Sequence, residues 1–317
     1  MSHMVETMCA DGITWHTSLT NHAICDGVQT AKEMFELAGL NWSVSQQKVY
    51  LKDGSEVPGY VANTRDSDNV VMGIVSDQYS VVQNYQAFEF VDSIIGSGEA
   101  KFNTAGCLYN KYNRPTRIWV SAKLKPMTIM GDQVDNYLVF NHSHDGLNAV
   151  KAFVTPVRVV CHNTLTLATD NTKRSWSTQH KGDIKSKLEA AQLTLKLYED
   201  YISEVPAMAE KLNSINLYPE DIAYLMDAIF PLPPEDGRAY TNMNSLRTDI
   251  LKCYNMKDDL ARFKNTAWGL YQAVVDVIEH KSILRNTETA EFNRQFKIIE
   301  GIPQLGKLQK MLLEVKA

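Results

Sequence analysis

The chain has 317 residues, of which 44% are hydrophobic and 22% are charged, with 16 glycines and 10 prolines. These proportions are typical of globular proteins and exclude disordered, collagen-like and disulfide-rich classes. At about 100–200 residues per domain, the length favours two domains. No apolar run approaches the roughly 20 residues that a membrane-spanning helix needs, so we expect no membrane contact. The net charge of −5 argues on its own against a nucleic-acid-binding protein.

The charge is distributed in three blocks. Residues 1–100 hold 4 basic and 13 acidic residues, residues 101–187 hold 13 and 5, and residues 188–317 hold 15 and 19. The balances are −9, +8 and −4, so a basic middle lies between acidic flanks. Such a block creates a local positive field whatever the net charge, unless the acidic flanks neutralise it in the fold.

Helical and strand patterns alternate through the first hundred residues. A short helical pattern at 30–38 ends at Gly39. Strand patterns on both sides of Asp53-Gly54 predict a hairpin, and a β-branched run at 70–75 predicts a buried strand. Helical spacing returns at 84–95 and stops at a glycine-containing break.

The basic block predicts an antiparallel sheet made of two hairpins. Their strands are expected at residues 101–110 and 117–124, and at 137–141 and 149–160. The stretch 117–124 alternates polar and apolar residues with a period of two, as strands do. We expect this sheet to form the core of the first domain.

From residue 183 the pattern is helical. Apolar residues repeat with steps of four and three in a heptad seam formed by Ile184, Leu188, Ala191, Leu195, Tyr198, Ile202 and Val205. Pro206 is expected to end or kink this helix, and further helical patterns cover 241–256, 258–281 and 303–315. The sequence therefore predicts an α+β fold, with an antiparallel sheet domain and flanking helices at 5–182 and a helical domain at 183–317.

The motifs of enzymes and of cofactor-binding proteins are missing, apart from one histidine pair. Without phosphate-cradling glycine loops or hydrolase and kinase motifs, we expect no cofactor and favour a non-enzymatic role. Two histidines at i and i+2 of a strand share a face, as metal ligands do. A metal-dependent hydrolase that uses His142, His144 and Asp145 is therefore an alternative, although a hairpin turn at Asp145-Gly146 explains these residues without a metal.

The cysteines indicate the compartment. The five cysteines form no CxxC pair and no secretion signal is recognisable at the start of the chain. We therefore expect reduced thiols and a location in a bacterial cytoplasm.

Cations and aromatic residues are interleaved in the basic block. Binding of single-stranded nucleic acid needs cations that follow phosphates and aromatic faces that stack on bases. A sheet that exposes Arg117, Trp119 and Lys123 on one face would supply both; alternatively, Trp119 is a core residue and the cations protect a sheet edge. The candidate binding residues are Lys101, Tyr109, Lys111, Tyr112, Arg114, Arg117, Trp119, Lys123, Arg158, Lys173 and Arg174.

Two stretches carry a family resemblance. Residues 137–146 (YLVFNHSHDG) and 155–165 (TPVRVVCHNTL), with shorter motifs at 73–79 and 83–88, resemble the DUF932 family, whose members are also called phage/plasmid-like proteins. The resemblance covers roughly residues 12–200. It implies a setting in phages, plasmids and other mobile elements, where recombination, replication and anti-defence functions are common. It implies no particular reaction, because the family's activity is unassigned.

The sequence leaves three hypotheses of function. The first is a phage or mobile-element protein that binds single-stranded DNA or RNA, with a Rad52-like annealing or recombination role by analogy of architecture. The second is a non-enzymatic interaction protein that inhibits a host defence complex through the acidic first hundred residues or the heptad seam. The third is the metal-dependent hydrolase. The heptad seam also favours a homo-oligomer.

Overall fold

The computed structural model describes residues 5–11, 23–24, 30–95, 101–110, 112–158, 175–195, 198–234, 237–281 and 302–315. The chain divides into two compact units. The first unit comprises residues 1–125, 136–154 and 171–199, and the second comprises 126–135, 155–170 and 200–317. The predicted domain boundary at residue 182 therefore lies inside the last segment of the first unit.

The predicted α+β class is confirmed, with antiparallel sheets, flanking helices and a helical C-terminal region. The described strands are β1 (Val5–Ala10), β2 (Ala23–Ile24), β3 (Val44–Tyr50), β4 (Glu56–Arg65), β5 (Val71–Ser76), β6 (Lys101–Tyr109), β7 (Pro115–Ile129), β8 (Asp132–Ser143), β9 (Val150–Arg158) and β10 (Ser175–Thr178). The described α-helices are α1 (Ala31–Leu37), α2 (Asn84–Ile95), α3 (Ile184–Leu195), α4 (Tyr198–Ser214), α5 (Pro219–Ile229), α6 (Arg238–Met256), α7 (Ala267–Asp276) and α8 (Pro303–Glu314).

Two sheets are formed by these strands. The larger has the order β10-β9-β8-β7-β6-β1-β2, and the smaller is the antiparallel sheet β3-β4-β5. In the larger sheet β6 pairs antiparallel with both β1 and β7, whereas β1 and β2 are parallel. The sheet core of the first unit thus joins a strand from the start of the chain to the predicted hairpins of the basic block.

Helices α1 and α2 cover part of the larger sheet with aromatic side chains. Thr30 caps α1 in a reciprocal capping box with Glu33, which satisfies two otherwise unpaired amides at the start of the helix. Phe88 of α2 lies between Phe35 of α1, at a centroid distance of 5.2 Å, and Phe102 of β6, at 6.1 Å. This aromatic contact buries the face of the sheet that carries Phe102.

The second unit has its own apolar core. Its centre is α7, which is buried along its whole length and stacks Trp268 on Tyr271. Between α6 and α7 lies a 3-10 helix at Asp258–Phe263, and a π-helix at Val277–Lys281 follows α7. The predicted helix at 258–281 is therefore three consecutive elements.

The structure tests two sequence expectations about the C-terminal half, the effect of Pro206 and the heptad seam. Pro206 does not end the heptad helix, because α4 runs through it to Ser214. Val205 and Ala209 beside it are fully buried, and this packing outweighs the backbone hydrogen bond that a proline removes. The first three seam residues, Ile184, Leu188 and Ala191, are at most 9% exposed, so this part of the seam is buried.

The described cysteines and helices test two further expectations from the sequence. Cys9 is disulfide-bonded, so the expectation of reduced thiols is wrong for this residue. Cys107 and Cys253 are free and buried. Among the described residues, no helix is long and apolar enough to cross a membrane.

Candidate functional site

The stretch 142–145 at the end of β8 is buried. Its two histidines and the serine between them are each at most 2% exposed. A Cβ atom added to Gly73 of β5 would lie 2.7 Å from Asp145 Cα, so β5 packs directly against this stretch. The exposed Gly146 that follows has a φ of 75°, in the left-handed region that glycine tolerates. This part of the first stretch that carries the family resemblance therefore forms an internal centre of packing.

The carboxylate of Asp145 is the hydrogen-bonding hub of this centre. Oδ2 accepts from Asn110 Nδ2 and Thr116 Oγ1, both at 2.8 Å, and Oδ1 accepts from Ser143 Oγ at 2.7 Å and the Leu147 amide at 2.9 Å. Burial raises the pKa of Asp145, but the hydrogen bonds outweigh burial and hold this pKa below its ordinary value. The carboxylate is therefore ionised at neutral pH, and both of its oxygens are occupied.

Three imidazoles form a second buried cluster. The ring centroid of His142 lies 4.8 Å from that of His144 and 6.0 Å from that of His180. His144 Nε2 lies 3.0 Å from Asn84 Oδ1, and His180 Nδ1 lies 3.1 Å from the Ser80 carbonyl oxygen. Both nitrogens of His142, Nδ1 of His144 and Nε2 of His180 have no hydrogen-bond partner within the described part of the chain.

Burial keeps these imidazoles neutral. It lowers the pKa of His142 well below its ordinary value, that of His144 to about 3 and that of His180 to about 4. Repulsion between neighbouring imidazoles lowers the pKa values of His142 and His144 further. The hydrogen bond to Ser80 raises the pKa of His180 but does not outweigh burial.

The metal alternative loses its carboxylate ligand in this arrangement. His142 and His144 lie side by side as the strand spacing predicts, but protein donors occupy both oxygens of Asp145. Among the described residues, no group of three or more His, Cys, Asp or Glu side chains is placed to hold a metal ion. His142, His144 and Asp145 therefore do not constitute a metal site in the described structure.

The buried stretch also joins the two sheets of the first unit. Asn63 of β4 donates from Nδ2 to the His144 carbonyl oxygen at 2.7 Å, and Tyr79 donates from its hydroxyl to the Ser143 carbonyl oxygen at 2.5 Å. The Tyr79 ring stacks on His180 at a centroid distance of 4.5 Å. Burial raises the pKa of Tyr79 far above its ordinary value, so this hydroxyl remains a donor.

The connection between β6 and β7 presents two of the predicted residues to solvent. Tyr112 is 65% exposed and Arg114 is exposed. Asn110, which is 2% exposed, accepts at Oδ1 from the amides of Tyr112, at 2.9 Å, and Arg114, at 3.1 Å. Its carbonyl oxygen accepts from the Asn113 amide at 3.0 Å. We call residues 110–114 the hairpin loop.

A second group of cations lies at the other end of the same strand pair. Lys101 of β6 is directly opposite Lys123 of β7, and Lys125 follows two residues later. Lys101 and Lys125 are exposed and Lys123 is half-buried. This end of the strand pair therefore concentrates positive charge. Eight residues of strand, about 26 Å, separate it from the hairpin loop.

Trp119 does not face solvent, so the predicted face of Arg117, Trp119 and Lys123 needs correction. Trp119 is 8% exposed, and its Nε1 donates to Thr104 Oγ1 at 3.0 Å. The ring covers Gly106 of β6, where an added Cβ would lie 2.2 Å from Cη2 of the indole. Trp119 is a core residue, and its face is not available for stacking on a base.

The other predicted binding residues divide into two groups. Tyr109 and Arg117 are half-buried. Lys111, Lys173, Arg174 and the side chain of Arg158 lie outside the described residues. The structure thus gathers Tyr112 and Arg114 at one end of the hairpin and Lys101 and Lys123 at the other.

Sequence reasoning missed Asn110, Tyr79 and His180. Asn110 precedes the predicted turn, and asparagine is common there because its side chain bonds to nearby backbone amides. The turn role of Asn110 could therefore be predicted from the sequence. Its hydrogen bond to Asp145, 35 residues later in the chain, could not. Tyr79 and His180 join the cluster through long-range contacts that no local pattern encodes.

These features define an α+β protein with a buried polar centre and an exposed, fixed loop. The family model described as "Domain of unknown function (DUF932)" matches residues 71–299, which is more than half of the chain. The protein belongs to this family. The match begins later than the resemblance found in the sequence and extends beyond it into the helical region. No curated protein and no solved structure matches the chain.

Proposed function

We propose that the protein binds single-stranded nucleic acid through the hairpin loop. The observation that carries this proposal is the pairing of an exposed aromatic ring, Tyr112, with an exposed guanidinium, Arg114, on a loop whose backbone is held by Asn110. An aromatic ring stacks on unpaired bases without regard to sequence, and a guanidinium binds phosphate. Stacked bases in a duplex offer no such face, so the loop favours single strands.

The lysines at the far end of the strand pair support the same function. Lys101, Lys123 and Lys125 bring three cations close together on this strand pair. Nucleic-acid binding places phosphates beside such cations and releases their counterions. A single-stranded nucleic acid that extends along the β6–β7 pair for about 26 Å would contact both the hairpin loop and the three lysines.

Fluorescence anisotropy with three probes of equal length tests the proposal: a labelled dT oligonucleotide, its abasic counterpart and a duplex. The wild-type protein should bind dT more tightly than the abasic strand or the duplex. Tyr112→Ala should abolish the preference for dT over the abasic strand. Arg114→Gln should weaken binding to both single strands and reduce the salt slope by about 1.

The control variant is Trp119→Phe. Because Trp119 is buried, this variant should bind dT like the wild type although it loses the bond to Thr104. An absence of dT binding by the wild-type chain at low salt would overturn the proposal. A finer role in annealing or recombination within a mobile element is the extension that the family resemblance suggests. It requires the wild type to accelerate pairing of two complementary strands and Tyr112→Ala not to do so.

A second candidate, an interaction protein that targets a host complex, is favoured by the outer face of the β3-β4-β5 sheet. Tyr60 and Ile74 are 54% and 60% exposed. Ile74 of β5 pairs with Ala62 of β4, two residues after Tyr60, so both exposed side chains lie on the same face of the sheet. Apolar groups clustered on an exposed sheet face are typical of protein-binding surfaces. A host protein retained by the wild type and by Tyr112→Ala, but lost in Tyr60→Ser with Ile74→Ser, would support this candidate. Equal retention by all three proteins would contradict it.

A further inference from the structure

One residue determines the backbone of the hairpin loop. The amides of Tyr112, Asn113 and Arg114 all donate to Asn110, two of them to its side-chain oxygen and one to its carbonyl. The Asn110 amide in turn donates to the Arg114 carbonyl oxygen at 2.7 Å. Asn113 adopts a left-handed φ of 57°, which asparagine tolerates.

Asp145 fixes the orientation of Asn110. Its Oδ2 accepts from Asn110 Nδ2, so Asn110 Oδ1 must point towards the loop amides. The same oxygen accepts from Thr116 Oγ1, just beyond the loop. Both ends of the hairpin loop are therefore tied to one buried carboxylate.

Burying a carboxylate is costly unless its oxygens are hydrogen-bonded. The fold commits four donors, a glycine at 73 that permits close packing and a left-handed Gly146 to holding Asp145. The loop that this arrangement orders carries Tyr112 and Arg114 into solvent. A loop ordered before binding loses less conformational entropy when a ligand binds.

We infer that Asn110 and Asp145 are positioning residues that hold Tyr112 and Arg114 in the geometry that binds single-stranded nucleic acid. This inference rests on the proposed function of the hairpin loop. It gives the buried stretch 142–145 a functional role: Asp145 at its end acts on the ligand only through the conformation of the hairpin loop.

The test compares Asn110→Ala with Asn84→Ala in the full chain. Asn84 is also a buried asparagine, 1% exposed; its Nδ2 bonds to the carbonyl oxygens of Leu40 and Trp42, and its Oδ1 lies 3.0 Å from His144 Nε2. None of these bonds reaches the hairpin loop or Asp145, so this variant controls for loss of a buried amide in the same centre. Asn110→Ala should bind the dT oligonucleotide about tenfold more weakly than Asn84→Ala, the loss expected when ordering about one residue must accompany binding. The amides of residues 112–114 should exchange hydrogen faster in Asn110→Ala alone.

The outcomes separate this inference from the function on which it rests. If the wild type binds dT and the two variants bind it equally, the positioning role is overturned and the nucleic-acid function stands. If the wild type does not bind dT, the proposed function fails and the positioning role fails with it. Melting temperatures of both variants show whether a loss of binding reflects a general loss of stability, for which Asn84→Ala is the matched reference.

Discussion

Mild acid should destabilise the first unit through its three buried histidines. An unfolded histidine titrates near pH 6.5, whereas burial lowers the pKa of His144 to about 3 and that of His180 to about 4, and lowers that of His142 well below its ordinary value. Below pH 6.5 the unfolded chain therefore binds protons that the folded chain does not. The part of the stability that depends on these neutral histidines is fully present above about pH 6.5, and it is lost as the pH falls from there towards 4.

The magnitude follows from linkage between proton binding and unfolding. Each imidazole that stays neutral in the fold costs about 1.4 kcal/mol for each pH unit below 6.5. At pH 5 the loss is about 2 kcal/mol for each of His144 and His180, or about 4 kcal/mol for these two together, and His142 adds to it in the same direction. A loss of about 4 kcal/mol is a large part of the 5–15 kcal/mol that typically stabilises a domain. The Asp145 carboxylate raises the pKa values of His144 and His180, but burial outweighs this effect.

Urea denaturation at pH 7.5, 6.5, 5.5 and 5.0 measures this effect. In a Trp268→Phe background the remaining tryptophans all belong to the first unit, so fluorescence reports on that unit alone. His142→Leu removes an imidazole whose two nitrogens have no partner among the described residues. It should reduce the loss of stability between pH 7.5 and pH 5 while the stability at pH 7.5 changes little.

His280→Gln is the control, since His280 belongs to the second unit and its replacement should leave the acid slope of the first unit unchanged. A free energy of unfolding that stays within 1 kcal/mol between pH 7.5 and pH 5 would refute this reasoning. So would an acid slope in His142→Leu equal to that of the wild type. Either result would mean that the imidazoles are charged or solvated in the folded protein.

Three further outcomes are expected. Gly106→Ala should lower the free energy of unfolding by at least about 2 kcal/mol, because its Cβ would lie 2.2 Å from the Trp119 ring; Gly306→Ala, with open space around it in a helix, should be neutral or stabilising by up to about 1 kcal/mol in the same urea titration. Asp276→Asn should cost about 1.5–3 kcal/mol by urea titration, because it removes the charged acceptor of the Lys257 hydrogen bond at the 3% exposed Asp276, while Lys257 keeps Asp259 as a partner. A chelator should leave the melting temperature unchanged, and a large drop would restore the metal hypothesis.

Local sequence patterns predicted the helices and strands that are bounded by residues typical of turns or breaks. The helix at 84–95 was correct at both ends, because apolar residues at helical spacing stop at a glycine-containing break. The β7–β8 hairpin was missed, although its strands are the longest in the sheet. Its turn is Met130-Gly131, both at positive φ, and methionine gives no turn signal at the first position. Pro126 inside β7 also argues against a strand on sequence grounds.

The candidate site was predictable only in its exposed part. Tyr112 and Arg114 lie in a polar turn, so their exposure follows from the pattern of the hairpin. The burial of Trp119 depends on Gly106, which sits opposite it on the neighbouring strand. The bonds of Asp145 depend on residues up to 35 positions away. Such relations arise from strand register, which alternation along a single strand does not specify.

The far end of the β7–β8 hairpin has a practical consequence for dissecting the protein. Ile129 and Val134 belong to the apolar core of the second unit, and Arg262 binds the Met130 carbonyl oxygen and the Asp132 carboxylate. A fragment that stops at residue 182 keeps this hairpin but lacks the helices that share its core. Its apolar side chains would then face water and promote aggregation. Single substitutions in the complete chain, rather than truncations, are therefore the way to assign roles to the two halves.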